Sequence, residues 1–249
     1  MTYCVAIKLN AGLVFVSDSR TNAGVDQIST YSKMHTFGLD GARQFCLLTA
    51  GNLATSQGIV NQIKHDIDHG MPLSLMTMNS MEEAADYVGQ ISIMQQKKAG
   101  GGLDFEASVI FGGQIMGTAP TVFLVYPQGN HISTSKTTPF LQIGESKYGK
   151  PILDRILKPD TALHTAVLCG LVSMDSTMRS NVSVGPPIEV LAYKTDSFVM
   201  PNRLVLEADS DYLRELKRNW DERLKEAFRS LPPPAWATMW DQNEHQQQA

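Results

Sequence analysis

Three residues near the start of the chain combine into a nucleophilic system: Thr2, Asp18 and Lys33. If Met1 is removed, the mature chain opens on threonine, and an N-terminal threonine carries both halves of an acyl-transfer device. Its hydroxyl is the attacking group. Its free α-amine, with a reference pKa of about 7.7–8.0, takes up the hydroxyl proton near neutral pH. Asp18 follows 16 positions later. A hairpin turning at Asn10-Ala11-Gly12 brings residues 2 and 18–19 opposite one another, so Asp18 comes beside Thr2 for a local reason. Lys33 opens the next strand candidate, where its ammonium reaches both. A cation there favours deprotonation of the hydroxyl and lowers the amine pKa, and a carboxylate holds the cation in place.

The elements that must position these residues are legible as well. Tyr3–Leu9 and Leu13–Ser19 are rich in β-formers around the Asn10–Gly12 turn. Met34–Phe37 and Gln44–Thr49 flank Gly38-Leu39-Asp40-Gly41 as a second hairpin. From the N-cap Asn52, residues Leu53, Ser56, Val60, Ile63 and Ile67 trace one helical face up to Gly70. Ser80 with Glu83 is a capping box for a second helix, which Gly100–Gly102 stops. Ala107–Phe111, Thr121–Tyr126 and His131–Thr134 are strands. Lys147–Leu157 and Thr161–Ser173 read as helices, Ile188–Tyr193 and Arg203–Leu206 as strands, and Asp211–Leu231 as a final helix ended by Pro232–Pro234. The tail Gln242–Ala249 is polar.

Hairpins interrupted by helix pairs exclude a Rossmann sheet. They predict an α+β fold, with two antiparallel sheets face to face and helices over both outer faces. With no internal repeat and no linker rich in Pro, Gly or Ser, residues 1–249 read as a single domain.

Composition narrows the function classes. The 249 residues are 43% hydrophobic and 18% charged, with a net charge of −4, which fits a globular core and argues against nucleic-acid binding. No apolar stretch approaches the roughly 18 residues of a membrane span, and Lys8 and Asn10 interrupt the N-terminus before a signal peptide could form. Cys4, Cys46 and Cys169 are too dispersed for a disulfide framework or a zinc site. The expectation is a cytoplasmic protein without membrane or nucleic-acid partners. His65 and His69 are four apart beside Asp66 and Asp68, but no third metal ligand is indicated and a solvated helix face explains them. Gly100–Gly102 lacks the Lys-Ser/Thr of a phosphate loop. The Met-rich run Met71–Met81 suits core filling or a partner-facing loop equally. The last helix most simply packs on its own sheet, although Trp236 and Trp240 hint at a neighbouring subunit.

The series Thr2, Ser17-Asp18-Ser19-Arg20-Thr21, Lys33 and Thr49-Ala50-Gly51 resembles the active site of proteasome β-type subunits. These are N-terminal-nucleophile hydrolases with a four-layer αββα sandwich. The start Met-Thr-Tyr-Cys-Val, the long C-terminal helix and the segment Asp175-Ser176-Thr177, Arg179-Ser180-Asn181, Gly185-Pro186-Pro187 are similar to the bacterial Anbu (ancestral β-subunit) branch. The resemblance covers most of the chain. It implies a threonine peptidase with Thr2 as nucleophile, its amine as base, and Asp18 and Lys33 as the tuning pair. It also implies the Gly51 N–H as oxyanion donor and a substrate strand pairing along Thr21, with Arg20 beside it. Asp175 matches a second carboxylate supporting the amine, and Ser146 the helping serine. Here the chain departs from the family, because Gly144-Glu145-Ser146 replaces Gly-Ser-Gly and Met178 stands three residues after Asp175. Lys33 also comes one residue early.

The resemblance further implies no metal or organic cofactor, a peptide or protein substrate, and self-assembly into a ring or helical homo-oligomer. It leaves an ATP-dependent unfoldase partner open. Three other readings stand beside the peptidase: a catalytically silent assembly subunit of the same fold, an amidase of small molecules, and a peptide-binding module that uses the Thr21 edge without turnover.

Overall fold

The computed structural model describes residues 1–22, 28–234 and 236; Trp240 and the tail Gln242–Ala249 lie outside the described residues. The chain groups into two compact units, Met1–Ser210 and Asp211–Ala249.

In the first unit, β1 (Tyr3–Leu9) and β2 (Gly12–Asp18) form the expected hairpin, in register from Cys4 opposite Ser17 to Leu9 opposite Gly12. A short ribbon follows, β3 (Arg20–Asn22) with β4 (Ile28–Thr30). Next come the hairpin of β5 (Met34–Leu39) and β6 (Arg43–Gly51) and the helices α1 (Leu53–Asp68) and α2 (Met81–Ala99). Both predicted N-caps are formed. Asn52 Oδ1 accepts the Thr55 N–H at 3.1 Å, and Ser80 Oγ accepts the Glu83 N–H at 3.1 Å. The Glu83 carboxylate reaches back one residue further than a capping box requires, to the Asn79 N–H.

A 3-10 turn at Leu103–Phe105 leads into β7 (Ala107–Ile115), β8 (Thr121–Val125), β9 (His131–Ser133) and β10 (Phe140–Gly144). Then follow α3 (Lys150–Ile156), α4 (Leu163–Ser180), β11 (Ile188–Lys194) and β12 (Leu204–Leu206).

Two antiparallel five-stranded sheets result, in the orders β10-β1-β2-β11-β12 and β5-β6-β7-β8-β9. Their facing sides hold a core that includes Phe15, Leu48, Ile110 and Tyr193. Helices α1 and α2 cover the second sheet through Ile59, Ile63 and Val88 against Phe45 and Phe111, whose rings stack at 5.4 Å. Helix α4 packs on β1 and β2, and α3 packs on α4. The layers are α, β, β, α, as expected. Being covered on both faces, β2 buries every residue and β1 all but one partly. Such strands read as near-continuous apolar runs, not as alternation, and each large core side chain removed from water contributes about 1.5–3 kcal/mol.

Three details depart from the element order read from the sequence. The β3–β4 ribbon, whose strands have three residues each and do not stand out against turn residues, and the five-residue β10 are additional strands. Helix α3 starts at Lys150, because residues 145–149 are committed to a turn whose Glu145 N–H bonds the Thr2 carbonyl at 2.7 Å. Helix α4 runs on past Ser173 to Ser180, carried by Thr177 Oγ1 bonding the Ser173 carbonyl and the Asn181 N–H bonding the Thr177 carbonyl.

The second unit contains α5 (Asp211–Arg229). It is strongly amphipathic, yet none of its residues is buried, and Leu224 and Phe228 are 53% and 76% exposed.

Candidate active site

Asp18 ends β2 with no solvent exposure. A carboxylate taken out of water must be paired or hydrogen-bonded, and this one is both. Oδ1 accepts the Tyr3 backbone N–H at 3.0 Å and a proton of Lys33 Nζ at 2.7 Å; Oδ2 accepts the Gly185 N–H at 3.3 Å. Burial raises the Asp18 carboxyl above its ordinary value, and the Lys33 ammonium and the two backbone donors offset only part of that rise. Lys33, itself 6% exposed, gives a second proton to the Arg20 carbonyl at 2.7 Å. Its third N–H has no partner within the described residues.

The hairpin register alone brings Asp18 to Tyr3. Lys33 arrives from elsewhere: it immediately precedes β5, and its carbonyl accepts the Thr49 N–H at 3.0 Å, tying it to β6.

Thr2 is fixed on both sides. Its carbonyl accepts the Glu145 N–H, and the following N–H goes to Asp18. Gly144 pairs with Tyr3 across β10 and β1 at φ +81°, and a Cβ there would overlap the Thr2 carbonyl oxygen. Only glycine allows the two backbones this close. The same holds at Gly51, which ends β6 at φ +107° with the Glu106 carbonyl oxygen where a Cβ would stand.

Thr2, Thr21, Lys33 and Gly51 line one cleft of about 720 Å³. Met1 stands in its wall with its sulfur 3.9 Å from Asn181 Nδ2. The other sequence-predicted residues lie behind or beside it. Arg20 turns away: its guanidinium donates to the Val182 carbonyl at 2.8 Å and its N–H bonds the Gly185 carbonyl, bracing the 182–185 loop that feeds Asp18. Asp175 is on α4, 7% exposed, and does not line the cleft. Ser146 is half-buried and also off the cleft; from its segment it is Glu145, through its backbone, that meets Thr2.

Sequence reasoning missed a second carboxylate behind the site. Glu189 on β11, 4% exposed, accepts from Ser32 Oγ at 2.9 Å and Ser17 Oγ at 3.4 Å and pairs with Arg203 at 3.2 Å. Ser32 immediately precedes Lys33, so this network anchors the lysine's backbone. No local pattern announces it, since its members come from four separate segments. The far wall of the cleft was also missed. Gln57, Asn61 and Lys64 on α1 face it; their spacing of four and three, beside the apolar stripe, was the available signal. His65 and His69 stack on each other at 4.2 Å elsewhere on that helix, and His69 Nδ1 lies 2.9 Å from the His65 carbonyl.

No family model matches the chain, and no curated protein does. Solved structures do. Anbu (ancestral β-subunit) from Yersinia bercovieri is 45% identical at a TM-score of 0.90, covering 93% of this chain and 98% of its own. The helical assembly of the Anbu complex from Pseudomonas aeruginosa is also 45% identical at 0.90, covering 94% and 99%. A Gly-1 mutant of Anbu from Hyphomicrobium sp. strain MC1 is 43% identical at 0.89, covering 94% and 99%. With identity at this level along nearly the whole of both chains, on the αββα sandwich described above, this protein belongs to the Anbu family of proteasome-like ancestral β-subunits.

Proposed function

We propose that this Anbu protein is an N-terminal-nucleophile hydrolase of peptide bonds, active once Met1 is removed. One observation carries the reading: the Lys33 ammonium, held at 2.7 Å by a carboxylate that also grips the Tyr3 N–H, opens onto the same cleft as Thr2 and Gly51.

While Met1 is attached, the Thr2 nitrogen is an amide without basic character. After its removal the α-amine takes the Thr2 Oγ proton as Oγ attacks the scissile carbonyl carbon. Lys33 favours the alkoxide, and the Gly51 N–H stabilises the oxyanion of the tetrahedral intermediate. The C–N bond then breaks, the departing amine takes the proton from the α-ammonium, and an ester on Thr2 Oγ remains. Water, losing a proton to the same amine, attacks that ester. The ester C–O bond breaks and the proton returns to Oγ. Thr21, on the two-stranded β3–β4 ribbon lining the cleft, is suited to pair with an extended substrate. No metal or organic cofactor takes part in these steps.

Self-assembly completes the reading. The Pseudomonas aeruginosa relative forms a helical assembly, and the exposed apolar face of α5 supports the same behaviour here.

The test is intact mass before and after incubation with an epoxyketone. The expected result is a chain lacking Met1 that gains one adduct, absent in Thr2→Ala. A processed chain that gains no adduct, or a chain that keeps Met1, refutes the nucleophile and leaves the silent assembly subunit.

A further inference from the structure

The cleft has an uneven charge. Its walls carry Lys33 and Lys64, and no Asp or Glu lines it among the described residues. A second cavity of about 460 Å³ adjoins it, sharing His35 and Lys64 with the first and adding Arg203, again without a carboxylate among its described residues. In a chain whose net charge is −4, cavities free of acidic side chains are not what composition alone would give.

The three cations are not equivalent. Lys33 is neutralised by Asp18 at 2.7 Å and Arg203 by Glu189 at 3.2 Å. Lys64 has no ion-pair partner among the described residues. It therefore supplies an uncompensated positive charge at the junction of the two cavities. His35, at the same junction, registers the field: its imidazole is pulled down to about 4, by burial first and then by Lys64 and Arg203, so at neutral pH it carries no charge that would repel a cation or attract an anion. Beside Lys64 on the α1 wall stand the carboxamides of Gln57 and Asn61, which can donate hydrogen bonds.

We propose that this end of the cleft, built on Lys64 with Gln57 and Asn61, is a specificity subsite for an acidic side chain of the peptide substrate. The inference rests on the hydrolase reading above and names the substrate class for that site. In the proposed mechanism the scissile carbonyl sits at the Gly51 N–H, two residues before α1 begins at Leu53; from Leu53 to Lys64 the helix rises about 16 Å, the span of roughly five extended residues at about 3.3 Å each. The lysine stem leans back toward the helix start, and a glutamate reaches out from the peptide. The preferred carboxylate therefore belongs to a residue about two or three positions from the scissile bond, not to the residue at the bond itself.

The test uses the full-length Thr2→Ala protein, so that binding is read without turnover. Capped peptides (acetylated and amidated) carry one Glu or one Gln, walked through successive positions. The expected result is a Glu-over-Gln preference of about three- to tenfold at one position near that spacing, as for a partly screened ion pair. It should shrink as salt is raised, disappear in Lys64→Gln, and turn into a preference for Lys over Glu in Lys64→Glu. Equal binding of Glu and Gln peptides, or a preference that survives Lys64→Gln, overturns the subsite. A parallel set with free C-termini separates the other source of carboxylate: a preference confined to that set overturns the side-chain assignment. Failure of the epoxyketone adduct with the Lys64-dependent preference intact would refute the hydrolase and leave the subsite standing.

Discussion

Substituting Asp18 by Asn keeps the shape of the side chain and removes the charge on which the site is built. The cost can be worked from the contacts. Lys33, 6% exposed, loses its counter-ion at 2.7 Å and is left with neutral acceptors, chiefly the Arg20 carbonyl. The remaining amide oxygen can still accept from Tyr3 or Lys33, but the new NH2 faces the Gly185 N–H, donor against donor. Breaking one side of a buried ion pair costs about 3–5 kcal/mol, of which about 1 kcal/mol belongs to the lost Gly185 bond. Lys33→Met leaves the Asp18 charge buried with two backbone donors and costs about 2–4 kcal/mol. The double variant removes both charges, so its cost falls short of the sum by about 2 kcal/mol. Urea unfolding followed by far-UV circular dichroism measures all three. Tryptophan fluorescence would not serve, because all three tryptophans follow Ser210. An Asp18→Asn protein within about 1 kcal/mol of wild type, or strictly additive costs, would refute the claim that this pair holds itself together in the interior.

Three further outcomes follow from the geometry. Gly144→Ala drives a Cβ into the Thr2 carbonyl at a φ of +81°; it costs about 1–3 kcal/mol in strain and, by displacing Thr2 about 1 Å, slows epoxyketone addition about 100-fold, read by mass spectrometry over time. His35 is neutral in the folded protein down to about pH 4, whereas an unfolded chain protonates it near 6.5. Between those values the unfolded state binds the extra proton, so acidification from pH 6.5 to about 4 erodes stability; urea titrations should show a shallower loss over that window in His35→Gln. Leu224→Asp with Phe228→Asp on α5 should leave the folding of Met1–Ser210 within about 0.5 kcal/mol, because both side chains are exposed, while sedimentation velocity shows smaller assemblies. Unchanged assembly size would remove α5 from the self-association.

How much of this was legible without coordinates depends on the range over which each feature is decided. Local features were open to reading. The Asn10–Gly12 turn sets the register that brings Asp18 to the Tyr3 N–H, and the Asn52 and Ser80 caps start α1 and α2 because each satisfies an orphan N–H within three residues. Hairpins interrupted by helix pairs pointed to two antiparallel sheets under helices, and hence to a layered sandwich. The grip of Lys33 on Asp18 was anticipated only as an electrostatic possibility, since it needs β5 and β6 to pack against the first sheet.

Other features had no local signature at all. Gly144 beside Thr2 follows from β10 pairing with β1 across more than 130 residues of chain, and the Glu189–Arg203–Ser32 support unites segments that no sequence spacing relates. Asp175 went unplaced on its helix because the end of α4 is set by hydrogen bonds past Ser173, not by a stop residue. The stripe Gln57, Asn61 and Lys64 was visible as polar spacing, but whether a polar helix face meets solvent or a cleft is decided by what stands opposite it. The sequence by itself determined most of the strands and the helix caps, because turns and periodicity act within a few residues. Only the tertiary structure decided which groups share a cleft and which charges there remain uncompensated, because packing sets distances between segments remote in the chain, and burial sets how strongly their charges are felt.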